Sequence, residues 1–137
     1  MTAQSTFADL LRALAHERAR VLVVGSPAKR VHGLANGSRE QALWYDADVD
    51  NARCVYRALA RVGAPLDGVE VLDLADVDYA FCYGDGDEEI ELVGGLDGVT
   101  FADAWPGRIE TTWREMTICV IGRDALLASE RAARAGV

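Results

Sequence analysis

One short stretch near the N-terminus constrains the fold more than any other part of the sequence. Val21 to Val24 is an apolar run with three β-branched residues, and it is followed directly by Gly25, Ser26 and Pro27. A run of this kind that stops at Gly, Ser and Pro is typical of a buried strand, and a proline just after the turn favours the start of a helix. We therefore predict a strand over 21–24, a tight turn and a helix over 28–34.

Helical and strand patterns continue through the rest of the chain. Apolar residues repeat at helical spacing in the segments 6–20, 50–62 and 123–135, and a shorter helical segment covers 100–105 up to Pro106. Strand patterns cover the segments 41–45, 69–74, 79–83, 89–93, 108–113 and 116–121. Turn residues at 84–86 and 114–115 favour two hairpins, and 36–38 reads as a loop. This order predicts an α+β (α/β-like) fold with a mixed sheet flanked by helices.

Size and cysteine usage limit the classes of protein to consider. The chain has 137 residues, of which 50% are hydrophobic and 26% charged, so we predict one globular domain over 1–137. Cys54, Cys82 and Cys119 are odd in number and widely spaced, which favours neither a disulfide framework nor a zinc knuckle. Neither a membrane-spanning apolar run nor an export signal is visible, so we expect a cytoplasmic protein without a membrane partner.

The charge is strongly negative and unevenly distributed. A net charge of −8 makes nucleic acid an unlikely partner, because such binding depends on basic residues that neutralise phosphates. Between Arg61 and Arg108 there is no Lys or Arg, whereas twelve Asp and Glu residues accumulate there. This acidic half is either a solvated face or a site for cations or a basic partner, with Tyr79 and Tyr83 expected to be exposed on it.

The isolated motifs of the sequence indicate neither a catalytic group nor a metal or nucleotide site. His16 reads as a surface residue, and His32, at the end of the predicted short helix, is more often structural than catalytic. The run from Asp46 to Asp50 has the spacing of a calcium loop, but Asn51 and Arg57 replace the glycine and the glutamate that such a loop requires. No Walker-type or dinucleotide-binding glycine motif occurs.

Dispersed segments of the chain do match a known pattern. They are Val21-Leu-Val-Val-Gly25-Ser26, His32-Gly33, Leu43-Trp44, Asn51-Ala52, Ala58-Leu59, Glu89-Ile-Glu91-Leu-Val93, 96–101, Ala104-Trp105, 118–122, Leu126-Leu127 and 131–133. Together they resemble the small bacterial nucleotidyltransferase-like proteins of the DNA polymerase beta superfamily. The resemblance extends over residues 8–135 and is ungapped from Gly25 to Leu59.

The resemblance implies a specific arrangement of site residues. In that family a Gly-Ser turn at a helix start holds a phosphate, and two carboxylates at i and i+2 on the next strand share a face with a third carboxylate on a neighbouring strand. Two divalent cations bound there activate the attacking hydroxyl and neutralise the triphosphate. Carried over, Gly25 and Ser26 form the nucleotide-binding turn, positions 40 and 42 the carboxylate pair, and Glu91 the third carboxylate.

This sequence departs from the pattern at its most important positions. Position 40 is Glu40, but position 42 is Ala42, and the lysine that the family has in the closing helix falls on Glu130. The polar segment after that helix is also missing. An alanine cannot ligate a cation, so Mg²⁺ would be held weakly, by Glu40, Glu91 and water at best. We predict a degraded metal site, no cofactor, and a protein that is inactive as a transferase and acts by binding a nucleotide or a protein partner.

Several alternatives remain open. The protein could be an active Mg²⁺-dependent transferase that moves a nucleotide to a protein or small acceptor, with Glu40 and Glu91 as catalytic residues, or a toxin–antitoxin type interaction module. Relocation of the pair to Asp46 and Asp48 is disfavoured, because six residues along a strand span about 20 Å. The Gly25-Ser26 turn either still receives an anion or persists only because the strand-to-helix corner needs it.

Overall fold

The computed structural model describes residues 6–34, 41–84 and 86–135. Its helices and strands, in chain order, are α1 Thr6–His16, β1 Val21–Val24, α2 Gly25–Val31, β2 Gln41–Tyr45, α3 Val49–Arg61, α4 Val71–Leu74, β3 Ala80–Tyr83, β4 Ile90–Val93, α5 Phe101–Ala104, β5 Ile109–Trp113, β6 Met116–Val120 and α6 Arg123–Ala135. Two single 3₁₀ turns, Gly86–Glu88 and Trp105–Gly107, connect neighbouring elements.

The strands of the described residues form one sheet in the order β3-β4-β2-β1-β6-β5. β1 and β2 are antiparallel, as are β3 with β4 and β5 with β6, whereas β2 with β4 and β1 with β6 run parallel. Both parallel pairs join strands that are separated by helices, as parallel connections require. The predicted mixed sheet flanked by helices is confirmed.

The two faces of the sheet are covered by different helices. Phe7 of α1 and Val23 of β1 line the same cavity, and the Phe7 ring lies 5.7 Å from that of Trp113, so α1 covers the face that carries Val23. On the opposite face the ring of Trp44 contacts Phe101 of α5 edge-on at 5.1 Å between centroids. Because both faces of β2 are covered, Ala42 through Tyr45 are all buried.

Two ends of this sheet matter for the site. β1 ends where β2 and β4 begin, and we call this the turn end, because it adjoins Gly25, the first residue of α2. β2 and β4 end at Tyr45 and Val93, where β1 begins, and we call this the far end.

One predicted strand is wrong. The segment 69–74 folds as the short helix α4, which packs against α3. Glu70 and Asp73 form a reciprocal capping box, in which each side chain accepts a hydrogen bond from the backbone N–H of the other residue. The alternation of apolar and acidic residues suits a strand equally well, and the capping bonds decide for the helix.

Several predicted boundaries also move. α1 ends at His16 rather than near Arg20, since Arg18 adopts a φ of 59° that no helix continues. α2 begins at Gly25 rather than at Ala28, so Pro27 occupies the first turn, where its missing N–H has no partner to lose. Pro106 does not end the local helix, because the chain continues there as a 3₁₀ turn. The predicted loop 36–38 lies outside the described residues.

Candidate nucleotide site

Gly25 shapes the corner between β1 and α2. Its φ of +69° lies in the left-handed region that favours glycine, so the sharp change from strand to helix depends on this residue. Ser26 follows it and is only 3% exposed. Gly25 also forms an isolated antiparallel bridge with Gln41, which places the corner beside the start of β2.

The register of the sheet brings the position of Ala42 against Glu91. Ala42 is the partner of Glu91 in the parallel pairing of β2 with β4, and of Val24 in the antiparallel pairing with β1. Partners of this kind share a sheet face, so the Ala42 methyl group and the Glu91 carboxylate lie on the same side. Ala42 is 5% exposed and Glu91 is half-buried. Glu40, the other predicted ligand, lies outside the described residues.

The donor set around Glu91 is poor in oxygen ligands. Its partner on the other side is Cys82 of the edge strand β3, and a thiol is a soft ligand that does not suit Mg²⁺. Within 6–34, 41–84 and 86–135, no three Asp, Glu, His or Cys residues form a group that could hold a metal ion. The residues described at the turn end therefore do not fit a two-cation site.

The closing helix contacts α2 through an ion pair. Nζ of Lys29 lies 3.3 Å from a carboxylate oxygen of Glu130, and both side chains are about 30% exposed. Position 130 is the one at which the family resemblance implies a lysine. A glutamate there neutralises the lysine of α2, so the pair adds no net positive charge beside the Gly25 corner.

His32, at the end of α2, makes contacts to the opposite side of the corner. Its Nε2 lies 2.7 Å from the carbonyl oxygen of Ile121 and donates to it in the tautomer with the proton on Nε2. Nη1 of Arg123 in turn donates to the carbonyl oxygen of His32 at 3.1 Å. These bonds hold the end of α2 against the junction between β6 and α6.

The carboxylates of Asp46 and Asp48 lie at the far end, after β2. Oδ2 of Asp46 accepts bonds from Nε and Nη2 of Arg20 at 3.1 and 2.8 Å. Oδ2 of Asp48 caps α3 by accepting from the backbone N–H groups of Asp50 and Asn51. Both carboxylates thus have structural partners and are remote from the Gly25 corner, which agrees with the sequence argument against a relocated pair.

Asn51 is the residue of the far end that sequence reasoning missed. It is only 3% exposed, and its Oδ1 accepts from the backbone N–H of Arg20 at 2.7 Å. Its Nδ2 donates to the carbonyl oxygens of Asp46 and Arg20 at 2.8 and 3.1 Å. One amide therefore joins the strand β1, the end of β2 and the start of α3. An asparagine three residues after the aspartate cap Asp48, in the first turn of α3, was the available signal.

The two tyrosines of the acidic half are less exposed than expected. Tyr79 and Tyr83 are both half-buried, and the Tyr83 hydroxyl is buried without a hydrogen-bond partner among the described residues. Burial, with a smaller contribution from nearby Asp9, raises the pKa of Tyr83 to about 12. The expectation that Tyr79 and Tyr83 are exposed is therefore wrong.

Two cavities flank the sheet. One of about 290 Å³ lies beside α2 and is lined by Val23, Gln41 and Arg30 among others, on the face opposite Glu91. A larger one of about 450 Å³ opens at the far end and is lined by Trp44, Phe101 and other residues. Neither cavity includes Ala42 or Glu91.

Of the comparisons with known proteins, the one with solved structures bears on the fold. In the described part of the chain, every helix is too short or too polar to cross a membrane. No protein-family model matches the chain, and no curated protein matches it either. A Thermotoga maritima protein, whose crystal structure is described as that of a "putative nucleotidyltransferase", superposes with a TM-score of 0.61 over 94% of this chain and 81% of that one, at 11% identity. The chain thus has a nucleotidyltransferase-like fold.

Proposed function

We propose that this protein is a degenerate member of the DNA polymerase beta superfamily, inactive as a transferase, that acts by binding a nucleotide or a protein partner. The observation that carries this proposal is the register between β2 and β4. It pairs Glu91 with Ala42, so the position beside the third carboxylate offers a methyl group where the family resemblance implies an oxygen ligand.

The physical consequence is a weakened cation site. Mg²⁺ requires near-octahedral oxygen coordination, and Glu40 and Glu91 without a carboxylate at position 42 cannot supply the bridging ligands of two cations. The Lys29–Glu130 ion pair acts in the same direction, since the glutamate neutralises Lys29 and so removes positive charge that could attract a triphosphate. In this proposal Gly25 and Ser26 keep the corner of the fold, and no Mg²⁺ cofactor is needed.

Isothermal titration with ATP tests the proposal directly. We expect the heat of binding to be the same with Mg²⁺ and with EDTA, because the cation finds no adequate ligand set. Mg²⁺-dependent binding in the micromolar range would contradict the proposal. Glu91→Gln is the matched variant, since it removes the charge but keeps the size of the side chain. It should bind ATP with the same affinity and heat as the wild type.

A restored ligand gives a sharper test. Ala42→Asp places a carboxylate beside Glu91, and because Ala42 is buried, the new charge should lower the free energy of unfolding by about 2 kcal/mol in EDTA. Mg²⁺ should recover part of this loss for Ala42→Asp but not for the double variant Ala42→Asp/Glu91→Gln. If Mg²⁺ stabilises neither variant, position 42 does not face a cation site, and the argument from Ala42 is wrong.

Glu91 also permits the enzymatic alternative to be tested. An active transferase with one cation would move a labelled nucleotide from an NTP to an acceptor in a Mg²⁺-dependent reaction that Glu91→Gln abolishes. We expect no such transfer. A partner of the toxin–antitoxin type should instead form a stable complex, detectable by co-expression with the product of a neighbouring gene, and Glu91→Gln should not weaken it.

A further inference from the structure

The cavity at the far end of the sheet is unrelated to the Gly25 corner. It has a volume of about 450 Å³ and follows the carboxyl ends of the parallel strands β2 and β4. Crevices at the carboxyl ends of parallel strands are common ligand sites in sheets flanked by helices. Trp44 and Phe101 form part of the wall, in edge-on contact with each other, and Val77 and Leu96 extend its apolar surface.

Two glycines let a neighbouring segment pack closely at one wall of this cavity. Gly94 and Gly95 follow β4 and line the cavity. A Cβ atom on Gly94 would lie 2.5 Å from the carbonyl oxygen of Asp76, and one on Gly95 would lie 2.5 Å from that of Val77. Glycine at both positions therefore lets the segment 76–77 pack directly against the end of β4, and this packing positions Val77 at the cavity.

Val77 is an exposed apolar residue in an acidic setting. Its side chain is 62% exposed although it lines the cavity, and Asp76 and Asp78 on either side of it are also exposed. Oδ1 of Asp76 accepts from the backbone N–H of Asp78 at 2.9 Å, which fixes the turn that presents all three residues. Val77 is continuous with the apolar wall formed by Leu96 and Phe101, so it extends an apolar surface out of the cavity, and a contiguous apolar surface of this kind suits contact with a partner.

The charge around the cavity is almost entirely negative. Asp46 and Asp48 line it, and further carboxylates directly follow or precede lining residues; these are Asp76, Asp78, Asp97 and Asp103. Among the residues that the structure describes, the basic side chain paired with the lining carboxylates is that of Arg20, which contacts Asp46 at 2.8 Å and Asp48 at 4.0 Å. One cation cannot balance six carboxylates, so the rim attracts positive charge.

We propose that this cavity is a docking site for a basic peptide segment of a partner protein, with one apolar side chain inserted between Val77 and Phe101 and flanking Lys or Arg residues at the carboxylates. The cavity has room for one large side chain of the peptide. Val77 and the carboxylates outside the cavity contact the peptide residues on either side of the inserted one. The inference rests on the binding role in the proposed function and names its surface and the chemistry of the partner.

The probe is a terminally blocked pentapeptide with a central leucine and four lysines, titrated into the ¹⁵N-labelled full chain and followed by NMR. We expect the largest amide shifts at Ala47, Gly94 and Gly95. Replacing the leucine by serine should weaken binding at least about fivefold, because the apolar anchor is lost. Replacing the lysines by glutamates should abolish binding, and raising the salt concentration should weaken it.

Variants of the chain locate the site. Val77→Ser should weaken binding about fivefold without unfolding the chain, because Val77 is largely exposed. Asp76→Asn/Asp78→Asn should weaken it severalfold while keeping an acceptor for the turn bond. Glu115→Gln, at the tip of the β5–β6 hairpin, removes an acidic charge elsewhere and should bind like wild type.

Three results would overturn the inference. They are equal binding of the glutamate peptide, unchanged binding by Val77→Ser, and no shifts at millimolar peptide. If dilution of the protein alone moves the same amides, a second copy of the chain covers the cavity, and the basic segment is the wrong occupant. None of these outcomes bears on the Mg-ATP titration, which reports on the opposite end of the sheet, so the two proposals fail separately.

Discussion

The two ends of the sheet carry acidic side chains with opposite consequences. At the turn end, Glu91 faces the methyl group of Ala42, where the family resemblance implies a second carboxylate. At the far end, Asp46 and Asp48 stand close together, but one is bonded to Arg20 and the other caps α3. The comparison shows that the number of carboxylates in a segment says little about metal binding, because their partners decide what remains available to a cation.

The two ends also differ in the contacts that hold them together. Asn51 joins β1, the end of β2 and α3 through three hydrogen bonds of one side chain, whereas the corner at the turn end requires the left-handed conformation of Gly25. We therefore expect substitutions at the far end to affect stability most, and substitutions at the turn end to separate stability from binding.

The largest effect is expected for Asn51→Ala. The substitution leaves the partly buried N–H of Arg20 and carbonyl oxygen of Asp46 without their partner, and it should lower the free energy of unfolding by about 2–3 kcal/mol, since a fully buried group left unpaired costs about 1–3 kcal/mol. Urea denaturation followed by circular dichroism measures it. Arg53→Ala, which breaks only an exposed ion pair with Asp50, is the control and should change stability by less than about 0.5 kcal/mol. Equal effects of the two variants would show that Asn51 does not join the far end.

A smaller loss is expected for Gly25→Ala at the turn end. An alanine at a φ of +69° costs about 1–2 kcal/mol in free energy of unfolding. Gly107→Ala serves as the control, because Gly107 does not have a positive φ and a Cβ there meets no atom within 4 Å; it should be neutral or slightly stabilising. Thermal denaturation compares the two. A Gly25→Ala chain as stable as the Gly107→Ala chain would mean that the corner does not require glycine.

The sequence predicts the strands better than it predicts the contacts between them. The apolar runs at 21–24 and 41–45 give β1 and β2 with their observed bounds, because a buried strand has a strong local pattern. The contact between Arg20 and Asp46 arises from the antiparallel register, in which the residue before β1 meets the residue after β2. Register is a property of two segments, so neither segment alone predicts this contact.

For the candidate site too, the sequence indicates which residues belong together but not the contacts that their packing creates. The resemblance places Gly25, position 42 and Glu91 in one site, and the register brings the latter two together.

The wrong strand prediction at 69–74 has a local cause, since the pair Glu70 and Asp73 satisfies a capping box that the alternating pattern conceals. The burial of the Tyr83 hydroxyl depends on the packing of remote segments, which composition does not reveal.

The pH dependence of stability provides a test at the turn end, where Tyr83 pairs with Ile90. Because burial raises the pKa of Tyr83 from 10.0 to about 12, the folded state resists ionisation, and stability should be constant below pH 10 and fall as the pH rises from 10 to 12. Tyr83→Phe should reduce this alkaline loss and leave stability at pH 7 within about 1 kcal/mol, since the hydroxyl has no partner to lose. Part of the loss of stability at high pH should remain in this variant, because burial also raises the pKa of Tyr45. If Tyr83→Phe loses as much stability between pH 10 and 12 as the wild type, the loss does not come from Tyr83.

The smallest effect, and the most direct comparison of the two ends, is expected for Asp46→Asn. The bond from Arg20 to Asp46 is partly exposed, so its loss should cost about 0.5 kcal/mol, and an asparagine oxygen still accepts a hydrogen bond. The same substitution should change neither ATP binding nor the response of Ala42→Asp to Mg²⁺, because the residue lies about four strand residues, roughly 13 Å, from position 42. Differential scanning fluorimetry of Ala42→Asp with and without Asp46→Asn, at increasing Mg²⁺, measures both effects. If Asp46→Asn removes the Mg²⁺ response, the far end supplies cation ligands after all, and the distinction between carboxylates engaged in structure and carboxylates available for binding does not hold for this fold.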